Sequence, residues 1–268
     1  MRILLSNDDG FDAPGIHALA AEMKKLGEIV VAAPADPQSA KSHSKAVRGQ
    51  LKVHAEPFEP DDPALQKGYR VFGTPYDSVS VALEAILTDP DTRPDLVVTG
   101  INHGSNVAYD ILHSGTIGAS SAAYFNGVPV IAMSLNGGSR YDYTYSAKYA
   151  LKAARWFVNQ PDNRDYILSI NTPNCPDADI KGTIVSRMGR RHNYANSFAK
   201  TQGEDDHTMY FDMKVAPNHD DNAEDLSYDD YAVNHNYVVV TPLDMDVTAY
   251  AHIERFIAVA DTDLNPTI

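Results

Sequence analysis

The feature that most constrains this fold is the alternation of short apolar runs with segments of helical spacing along residues 1–170. Three of these runs are "EIVVAAP" (28–34), "DLVVTG" (95–100) and "VPVIAMSL" (128–135), and each is almost wholly apolar. Strands with so little polar alternation are typical of parallel sheets, because helices cover both faces of such a sheet. The repeated strand–helix order therefore predicts an α/β fold with a mostly parallel sheet.

The chain changes character after residue 170. Three segments there are predicted strands of a C-terminal extension or hairpin arm: "KGTIVSRMG", "TMYFDMKVAP" and "NYVVVTPLDMDVT". The acidic run 218–230 is predicted to be a solvated loop, and the basic run 187–194 a solvated turn. Because no repeat or low-complexity linker divides the chain, we expect one domain over 1–268, with the extension arms within residues 175–250.

Two adjacent carboxylates, Asp8 and Asp9, follow the first predicted strand in "LLSNDDGFDAPG". Neighbouring strand residues point to opposite faces, so these side chains converge only if the backbone bends, and Gly10 allows the bend. Two carboxylates held close together repel, so either the pKa of one rises or a cation lies between them. On this stretch alone, a plain Asn-Asp-Gly turn explains the same residues.

The position of the acidic pair in the sheet favours a binding site. In open α/β sheets, ligands bind beyond the carboxyl ends of parallel strands, near the switch in strand order. Four loops leave such ends, and they form one rim if their strands are neighbours. These loops contain residues 7–10, 38–39, 73–75 and 100–102.

The side chains of this predicted rim suit a hard divalent cation such as Mg²⁺ or Mn²⁺. Mg²⁺ takes one or two carboxylates and completes its shell with water and substrate phosphate. Neutral Ser39 and Asn102 would fill further positions without adding charge, so a phosphate dianion would still be accepted. The rim therefore predicts a site for a metal ion and a phosphate.

A second phosphate-binding element is predicted at the start of the helix "SGTIGASSAAYF" (114–125). The free N–H groups of Ser114, Gly115 and Thr116 and the positive end of the helix dipole favour an anion. An N-cap followed by small residues that pack against the sheet explains the same sequence equally well. The two interpretations are compatible.

Charge and cysteine content narrow the partners and the compartment. The formal net charge of −14 argues against a surface for nucleic-acid polymers, but a bound cation can reverse the field locally for a small phosphate. The single Cys175 cannot form an internal disulfide, which favours a reducing compartment. With neither a signal peptide nor an apolar run of roughly 20 residues, we expect a cytoplasmic protein without membrane contact.

Five motifs, in the same order along the chain, resemble the SurE (survival protein E) family of nucleoside-monophosphate phosphatases. They are "ILLSNDDGFDAPGIHAL", "GTPYDSV", "PDLVVTGINHGSN", "HSGTIGAS" and "YVVVTPL". The resemblance implies a Rossmann-like core and a metal-dependent phosphatase acting on 5′- and 3′-nucleotides. It also implies a homodimer or homotetramer built by exchange of C-terminal arms.

The resemblance also implies a ligand set for one divalent cation per subunit: Asp8, Asp9, Ser39 and Asn102. The strand-end argument reaches the same residues. The loop around Ser39 reads "QSAKSHS", where the family shows a basic residue, then Ser, Gly and Ala-Ser. Ser42 or Ser44 would therefore serve instead if the loop is shifted.

The expected reaction is attack of water on a phosphomonoester, assisted by the metal. Asp8, Asp9 and Asn102 form the predicted catalytic set, with one of the two acids accepting the proton of the water. An aspartyl-phosphate intermediate ranks lower, because acids that bind a metal are poor nucleophiles. The residues expected to bind phosphate are Ser39, Asn106, Ser114, Gly115 and Thr116.

Other classes of protein fit the sequence less well. Phosphate-receiver domains need an acceptor Asp after the third strand and a Lys after the fifth, where this chain has Thr74-Pro75 and residues 134–136. A non-catalytic dinucleotide-binding module would carry G-x-G-x-x-G, which is absent. A catalytic histidine is a minority interpretation, although His43, His103 and His113 lie in loops near the rim. We expect His103 and Ser105 to shape the substrate mouth.

Overall fold

The structure is a computed structural model, in which residues 1–138, 141–192, 194–201, 203, 207–217 and 224–260 are described. This part of the chain contains eleven strands: β1 (Arg2–Ser6), β2 (Glu28–Pro34), β3 (Val53–Glu56), β4 (Lys67–Val71), β5 (Leu96–His103), β6 (Val130–Leu135), β7 (Ile167–Thr172), β8 (Gly182–Val185), β9 (Tyr194–Thr201), β10 (Tyr210–Pro217) and β11 (Tyr237–Leu243).

The same residues form six α-helices: α1 (Pro14–Met23), α2 (Pro75–Val81), α3 (Gly115–Phe125), α4 (Thr144–Phe157), α5 (Asp229–Asn234) and α6 (Tyr250–Ala260). A π-helical turn, Ala82–Ile86, continues α2, and a 3₁₀ turn, Ala108–His113, leads into α3. Within the described residues, no helix is both long enough and apolar enough to cross a bilayer.

Nine strands form one sheet in the order β3-β4-β2-β1-β5-β6-β7-β11-β8. The six strands from β4 to β7 are mutually parallel, whereas β3 and the β8–β11 pair run the other way. The chain adds β2 and β4 on one side of β1 and then returns to place β5 on its other side. The switch point therefore lies between β1 and β5, and the predicted α/β fold is confirmed.

Uninterrupted apolar strands arise because both faces of the sheet are covered. Ile3 and Leu5 of β1 pack in the layer that contains α1 and α4, whereas Leu4 packs in the layer that contains α2 and α3. All three side chains have no exposed surface. This burial on both sides fixes the direction of β1 and hence the position of the residues that follow it.

The structure differs from the sequence prediction at several elements. β5 continues through residues 100–102 to His103, with its pairing to β6 shifted between Thr99 and Asn102, where we predicted an end at Gly100. The strands β3 and β9 were not predicted, because their residues are largely exposed and show no strong periodicity. The helix α6 was also not predicted, although its apolar residues Tyr250, Ile253, Phe256 and Ile257 recur at helical spacing. The predicted C-terminal hairpin is confirmed as the antiparallel pair β9–β10. Of the three segments predicted to form the extension, however, only β10 lies in it, because β8 and β11 extend the main sheet beyond β7.

The prediction of a solvated acidic loop over residues 218–230 is wrong at its end. Asp229 and Asp230 are buried and begin α5, while residues 218–223 lie outside the described part. The basic run 187–194 is likewise more than a solvated turn, since Arg191 forms an ion pair with Asp230. Asn193 in that run lies outside the described residues.

Candidate active site

The turn after β1 is built by Asn7 and Gly10. The Asn7 side chain donates a hydrogen bond to the Gly10 carbonyl (2.8 Å) and accepts one from the Gly10 N–H (3.2 Å). Gly10 has φ +109°, which side chains with a Cβ rarely adopt. The Phe11 N–H donates to the Pro34 carbonyl (2.7 Å) and ties the turn to the end of β2. The turn interpretation is thus correct, and the turn also aims the two carboxylates.

Asp8 points towards the start of α3 and is only 4% exposed. The Thr116 hydroxyl donates to Asp8 Oδ1 at 2.5 Å. A Cβ added at Gly115 would lie 2.7 Å from Asp8 Cβ, so only glycine allows this approach. Burial raises the pKa of Asp8 to about 6, the bond from Thr116 opposes the rise, and the charge of Asp9 adds to it.

Asp9 points towards β5 instead. Its Oδ2 accepts a hydrogen bond from the His103 backbone N–H at 2.9 Å. Burial raises the pKa of Asp9, and the bond from His103 partly offsets the rise. Asn102 precedes His103, and its amide nitrogen donates to the Gly104 carbonyl (2.8 Å), which fixes the side chain. The turn after β1 and the end of β5 therefore meet as the strand-end argument predicted.

Ser39 lies in an exposed loop whose backbone is tied to the same turn. The Gln38 N–H donates to the Asp8 carbonyl oxygen at 2.7 Å. No partner is found for the Ser39 hydroxyl within the described residues. The alternative Ser42 donates its hydroxyl to the Leu112 carbonyl (2.7 Å), and the carbonyl of Ser44 accepts from Thr74 (2.6 Å). Both contacts hold the loop in place, but only the Ser42 hydroxyl is engaged, so the hydroxyls of Ser39 and Ser44 both lack a partner within the described residues.

The start of α3 confirms the N-cap interpretation of its sequence, and the phosphate-binding interpretation stays a prediction. Ser114 is the N-cap, since its Oγ accepts from the Ile117 N–H at 3.1 Å. The Thr116 hydroxyl is committed to Asp8, so it orients a carboxylate. The backbone N–H groups of Gly115 and Thr116 still lie at the positive end of the helix dipole, next to Asp8.

Asn106 anchors the loop that follows β5. Its backbone N–H donates to Asn171 Oδ1 (2.8 Å), and its side-chain amide donates to the Ser134 hydroxyl (2.9 Å). Asn171 donates in return to the Asn106 carbonyl (3.0 Å). The neighbouring Ser105 hydroxyl is buried and has no partner within the described residues.

Asp229 holds the next part of this loop, and sequence reasoning missed it. Its carboxylate accepts hydrogen bonds from three backbone N–H groups: Ala108 (3.1 Å to each oxygen), Gly189 (2.8 Å) and Asp230 (2.8 Å). Ala108 has φ +52°, a strained conformation that this carboxylate helps to hold. Asp229 thereby positions the segment that joins Asn106 to the start of α3.

The charge of Asp229 is only partly compensated. Burial raises its pKa to about 6, the three N–H donors oppose the rise, and the charge of Asp230 adds to it. Arg191, which faces this pair, is bonded to Asp230. Acids in a first helical turn are a known signal of a helix start, but the surrounding acidic residues concealed it.

An aromatic cluster lies on the Asp9 side of the rim. The His103 ring stacks on Tyr141 with centroids 3.5 Å apart, and His103 Nδ1 lies 3.0 Å from the Tyr143 hydroxyl. Burial and then the charge of Asp9 raise the pKa of Tyr143 to about 12, so its hydroxyl stays protonated. His103 was expected near the mouth, but its tyrosine partners come from the loop before α4 and gave no sequence signal.

No cluster of three or more His, Cys, Asp and Glu side chains suited to a metal is found in the described part of the chain. A cation at this rim would therefore be bound by the Asp8–Asp9 pair together with neutral oxygen ligands, as the sequence predicted.

Comparison with known proteins gives consistent matches over most of the chain. The family model described as "Survival protein SurE" matches residues 3–195. A protein of Chlorobaculum tepidum named 5′-nucleotidase SurE is 42% identical over 246 residues, covering 92% of this chain and 89% of its own. One of the same name from Vibrio campbellii is 35% identical over 250 residues, covering 93% and 91%.

A solved structure agrees with the fold. The crystal structure of the SurE protein from Aquifex aeolicus has a TM-score of 0.80 and 32% identity to this chain. The match covers 97% of this chain and 100% of that one.

Replacing Gly115 by alanine tests the close approach of Asp8 to α3. Alanine favours a helix by up to about 1 kcal/mol, yet its Cβ would overlap Asp8, so we expect a net loss of about 1–3 kcal/mol in unfolding free energy. Denaturant titration measures it. In an Asp8→Gly background the overlap partner is gone and the loss should vanish. An equal loss in both backgrounds would show that Asp8 is not the group displaced.

Two variants of Asp229 separate its geometry from its charge. Asp229→Ala strands three buried N–H groups and should lower the unfolding free energy by about 3 kcal/mol or more. Asp229→Asn keeps the oxygen that accepts from all three N–H groups, so its unfolding free energy should fall much less. Similar losses in both variants would contradict the anchoring role.

Comparison of the wild type with Asp229→Asn tests the pH dependence of the unfolding free energy. The folded state binds the Asp229 proton more tightly than the unfolded state, because the folded pKa is raised to about 6. The contribution of Asp229 to the unfolding free energy is therefore fully present below the pKa that this residue has in the unfolded state, and it is lost as the pH rises through 6. Between pH 4 and 7 the wild type should lose about 3 kcal/mol that Asp229→Asn retains. Parallel curves would contradict the raised pKa.

Proposed function

This chain belongs to the SurE family, and on that basis we propose that it is a 5′/3′-nucleotidase that hydrolyses nucleoside monophosphates to nucleoside and phosphate. Relatives that it matches over more than nine-tenths of its length carry the name 5′-nucleotidase. The observation that carries the proposal is the placement of buried Asp8 and half-buried Asp9 at the switch point. Within the described residues, no Lys, Arg or His forms an ion pair with either carboxylate.

SurE nucleotidases are metal-dependent, and we assign one divalent cation per subunit, Mg²⁺ or Mn²⁺, to Asp8, Asp9, Ser39 and Asn102. All four offer oxygen, which hard cations prefer. The raised pKa values of both acids support the assignment, because a cation would stabilise their ionised forms against the cost of burial. Asp9 Oδ1 and Asn102 Oδ1 also have no hydrogen-bond partner within the described residues.

A bound divalent cation supplies positive charge that polarises a phosphoryl oxygen. Thr116 and the His103 N–H hold the two carboxylates in fixed orientations. We assign the acceptance of the water proton to Asp9, which is more exposed than Asp8. The N–H groups at the start of α3 would stabilise negative charge on the phosphoryl oxygens, with Ser39, Asn106 and Ser114 as further predicted contacts.

The surroundings of Asp8 argue against Asp8 as the nucleophile of an aspartyl-phosphate mechanism. A nucleophilic carboxylate must reach the phosphorus atom, whereas Asp8 is 4% exposed, bonded to Thr116 and pressed against Gly115. Its role as a fixed ligand is compatible with those contacts, and its role as a nucleophile is not.

The hairpin β9–β10 supports assembly into a homodimer or homotetramer through the C-terminal arms. In its register, Phe198 lies opposite Met213, and Phe211 and Val215 share their face. All four side chains are more than half exposed. Four apolar residues on one face of a two-stranded ribbon need a partner surface, and we assign it to a second copy of this chain.

We place the protein in the cytoplasm, because its single cysteine, Cys175, is free and suits a reducing compartment. The net charge of −14 disfavours binding of nucleic-acid polymers, and the proposed substrates are small nucleoside monophosphates.

Replacing either acid by asparagine tests the catalytic assignment. Asp8→Asn and Asp9→Asn should each lower the release of inorganic phosphate from AMP by about a hundredfold or more, with an unchanged circular dichroism spectrum. EDTA should abolish the wild-type activity and Mg²⁺ or Mn²⁺ should restore it. Asp91→Asn, in the exposed loop before β5, serves as the control. Turnover near the wild-type rate in either acid variant would defeat the assignment.

Substitutions on the hairpin test the assembly. The double change Phe198→Ser and Met213→Ser removes apolar area from the exposed face and should shift the protein to smaller species in analytical ultracentrifugation. Lys214→Ser alters the opposite face of the same strand and should leave the mass unchanged. A wild-type monomer, or an unchanged mass for the double variant, would exclude the proposed arm contact.

A further inference from the structure

A cavity of about 450 Å³ opens beside Asp9, between the end of β2 and the starts of α1 and α4. We call it the Asp36 cavity. Its volume lies within the range of small-molecule sites. Its walls include Asp9, Pro14, Asp36, Pro37, His103 and Tyr143. Because Asp9 belongs both to this cavity and to the acidic pair, a ligand could occupy the cavity and reach the pair at once.

Asp36 is the free acceptor of this cavity. Its side chain is exposed, and its carboxylate has no hydrogen bond or ion pair within the described residues. The other acid nearby, Asp12, is bound by both terminal nitrogens of Arg70, at 2.6 and 2.8 Å. That bond holds the pKa of Asp12 below its ordinary value and occupies both of its oxygens.

The backbone that carries Asp36 is fixed on both sides. The Ala35 N–H donates to the Val71 carbonyl (2.7 Å), and the Gln38 N–H donates to the Asp8 carbonyl (2.7 Å). A carboxylate on a fixed segment loses little conformational freedom when it binds a ligand, which favours affinity.

The place of Asp36 in the topology indicates what it accepts. The central strands follow the doubly wound order, with β4, β2 and β1 on one side of the switch point and β5, β6 and β7 on the other. In dinucleotide-binding folds of this order, an acidic residue after the second strand hydrogen-bonds a ribose hydroxyl. Asp36 lies two residues after β2, which ends at Pro34.

The opposite wall offers an aromatic surface. The His103 ring is held by stacking on Tyr141 and by its contact with the Tyr143 hydroxyl. A ring fixed in this way suits stacking of a nucleobase without ordering further side chains. The cavity thus combines a carboxylate for hydroxyl groups with an aromatic face for a base, and both are suited to an uncharged ligand.

We propose that the Asp36 cavity binds the nucleoside half of a nucleoside 5′-monophosphate substrate, with Asp36 accepting from the ribose 2′- and 3′-hydroxyls and the base stacking on His103. This inference rests on the proposed nucleotidase function and extends it, because it makes the enzyme prefer ribonucleotides to 2′-deoxyribonucleotides. The phosphate then lies at the metal and α3, away from the negative charge of Asp36.

Binding of uncharged nucleosides tests the proposal without requiring catalysis. Calorimetry with adenosine and 2′-deoxyadenosine should show about tenfold tighter binding of adenosine to the wild type, since one charge-assisted hydrogen bond separates the two ligands. Asp36→Ala should reduce that ratio to near one. Asp91→Ala, which removes a negative charge from the exposed loop before β5, should keep it.

Variants of His103 test the stacking wall. His103→Ala should weaken the binding of both nucleosides by about tenfold. His103→Phe should retain most of the affinity, because a phenyl ring still stacks. The backbone N–H that bonds Asp9 is present in every variant, so the acidic pair keeps its contact.

The outcomes separate the two proposals. Equal binding of the two nucleosides by the wild type, an unchanged ratio in Asp36→Ala, or no detectable binding would overturn the nucleoside site. If AMP is still hydrolysed in that case, the nucleotidase function stands alone. Conversely, binding of adenosine that depends on Asp36 but no release of phosphate from AMP would support the cavity and overturn the nucleotidase function.

Discussion

The approach of Asp8 to the first turn of α3 is the contact on which the candidate site depends. It brings a carboxylate at the end of β1 against a helix that begins more than 100 residues later, with the Thr116 hydroxyl 2.5 Å from Asp8 Oδ1. The contact requires a glycine at position 115, because any side chain there would overlap Asp8. It also requires a rigid β1, which burial on both faces of the sheet provides.

Burying this acidic pair has a cost that the protein offsets only in part. The Thr116 hydroxyl and the His103 N–H each engage one carboxylate, yet the pKa of both acids stays above its ordinary value. A pair of that kind is stabilised by whatever brings positive charge to it. The negative charge of the two carboxylates is therefore only partly compensated at the switch point, which is the property that favours our proposal of a divalent cation there.

The sequence predicts the parts of this site that follow from strand ends, and it misses those that depend on distant partners. β1, β2 and β6 were recognisable because they are buried on both faces, and the strand-end rule then located Asp8, Asp9 and Asn102. The role of Asp229 was not accessible, since its partners Ala108 and Gly189 are 121 and 40 residues away in the chain. The free hydroxyl of Ser39 likewise became distinguishable from Ser42 only once the loop path was known.

The two acids divide the crevice into regions of different chemistry. Asp8 faces the layer of α2 and α3, where the positive end of a helix dipole favours an anion. Asp9 faces the layer of α1 and α4, where Asp36 adds negative charge and the rings of His103 and Tyr143 form a wall. A nucleoside monophosphate has the same division, with a charged phosphate at one end and a neutral, aromatic nucleoside at the other. The asymmetry of the crevice would therefore determine which way round such a substrate binds, with its phosphate towards the proposed metal ligands.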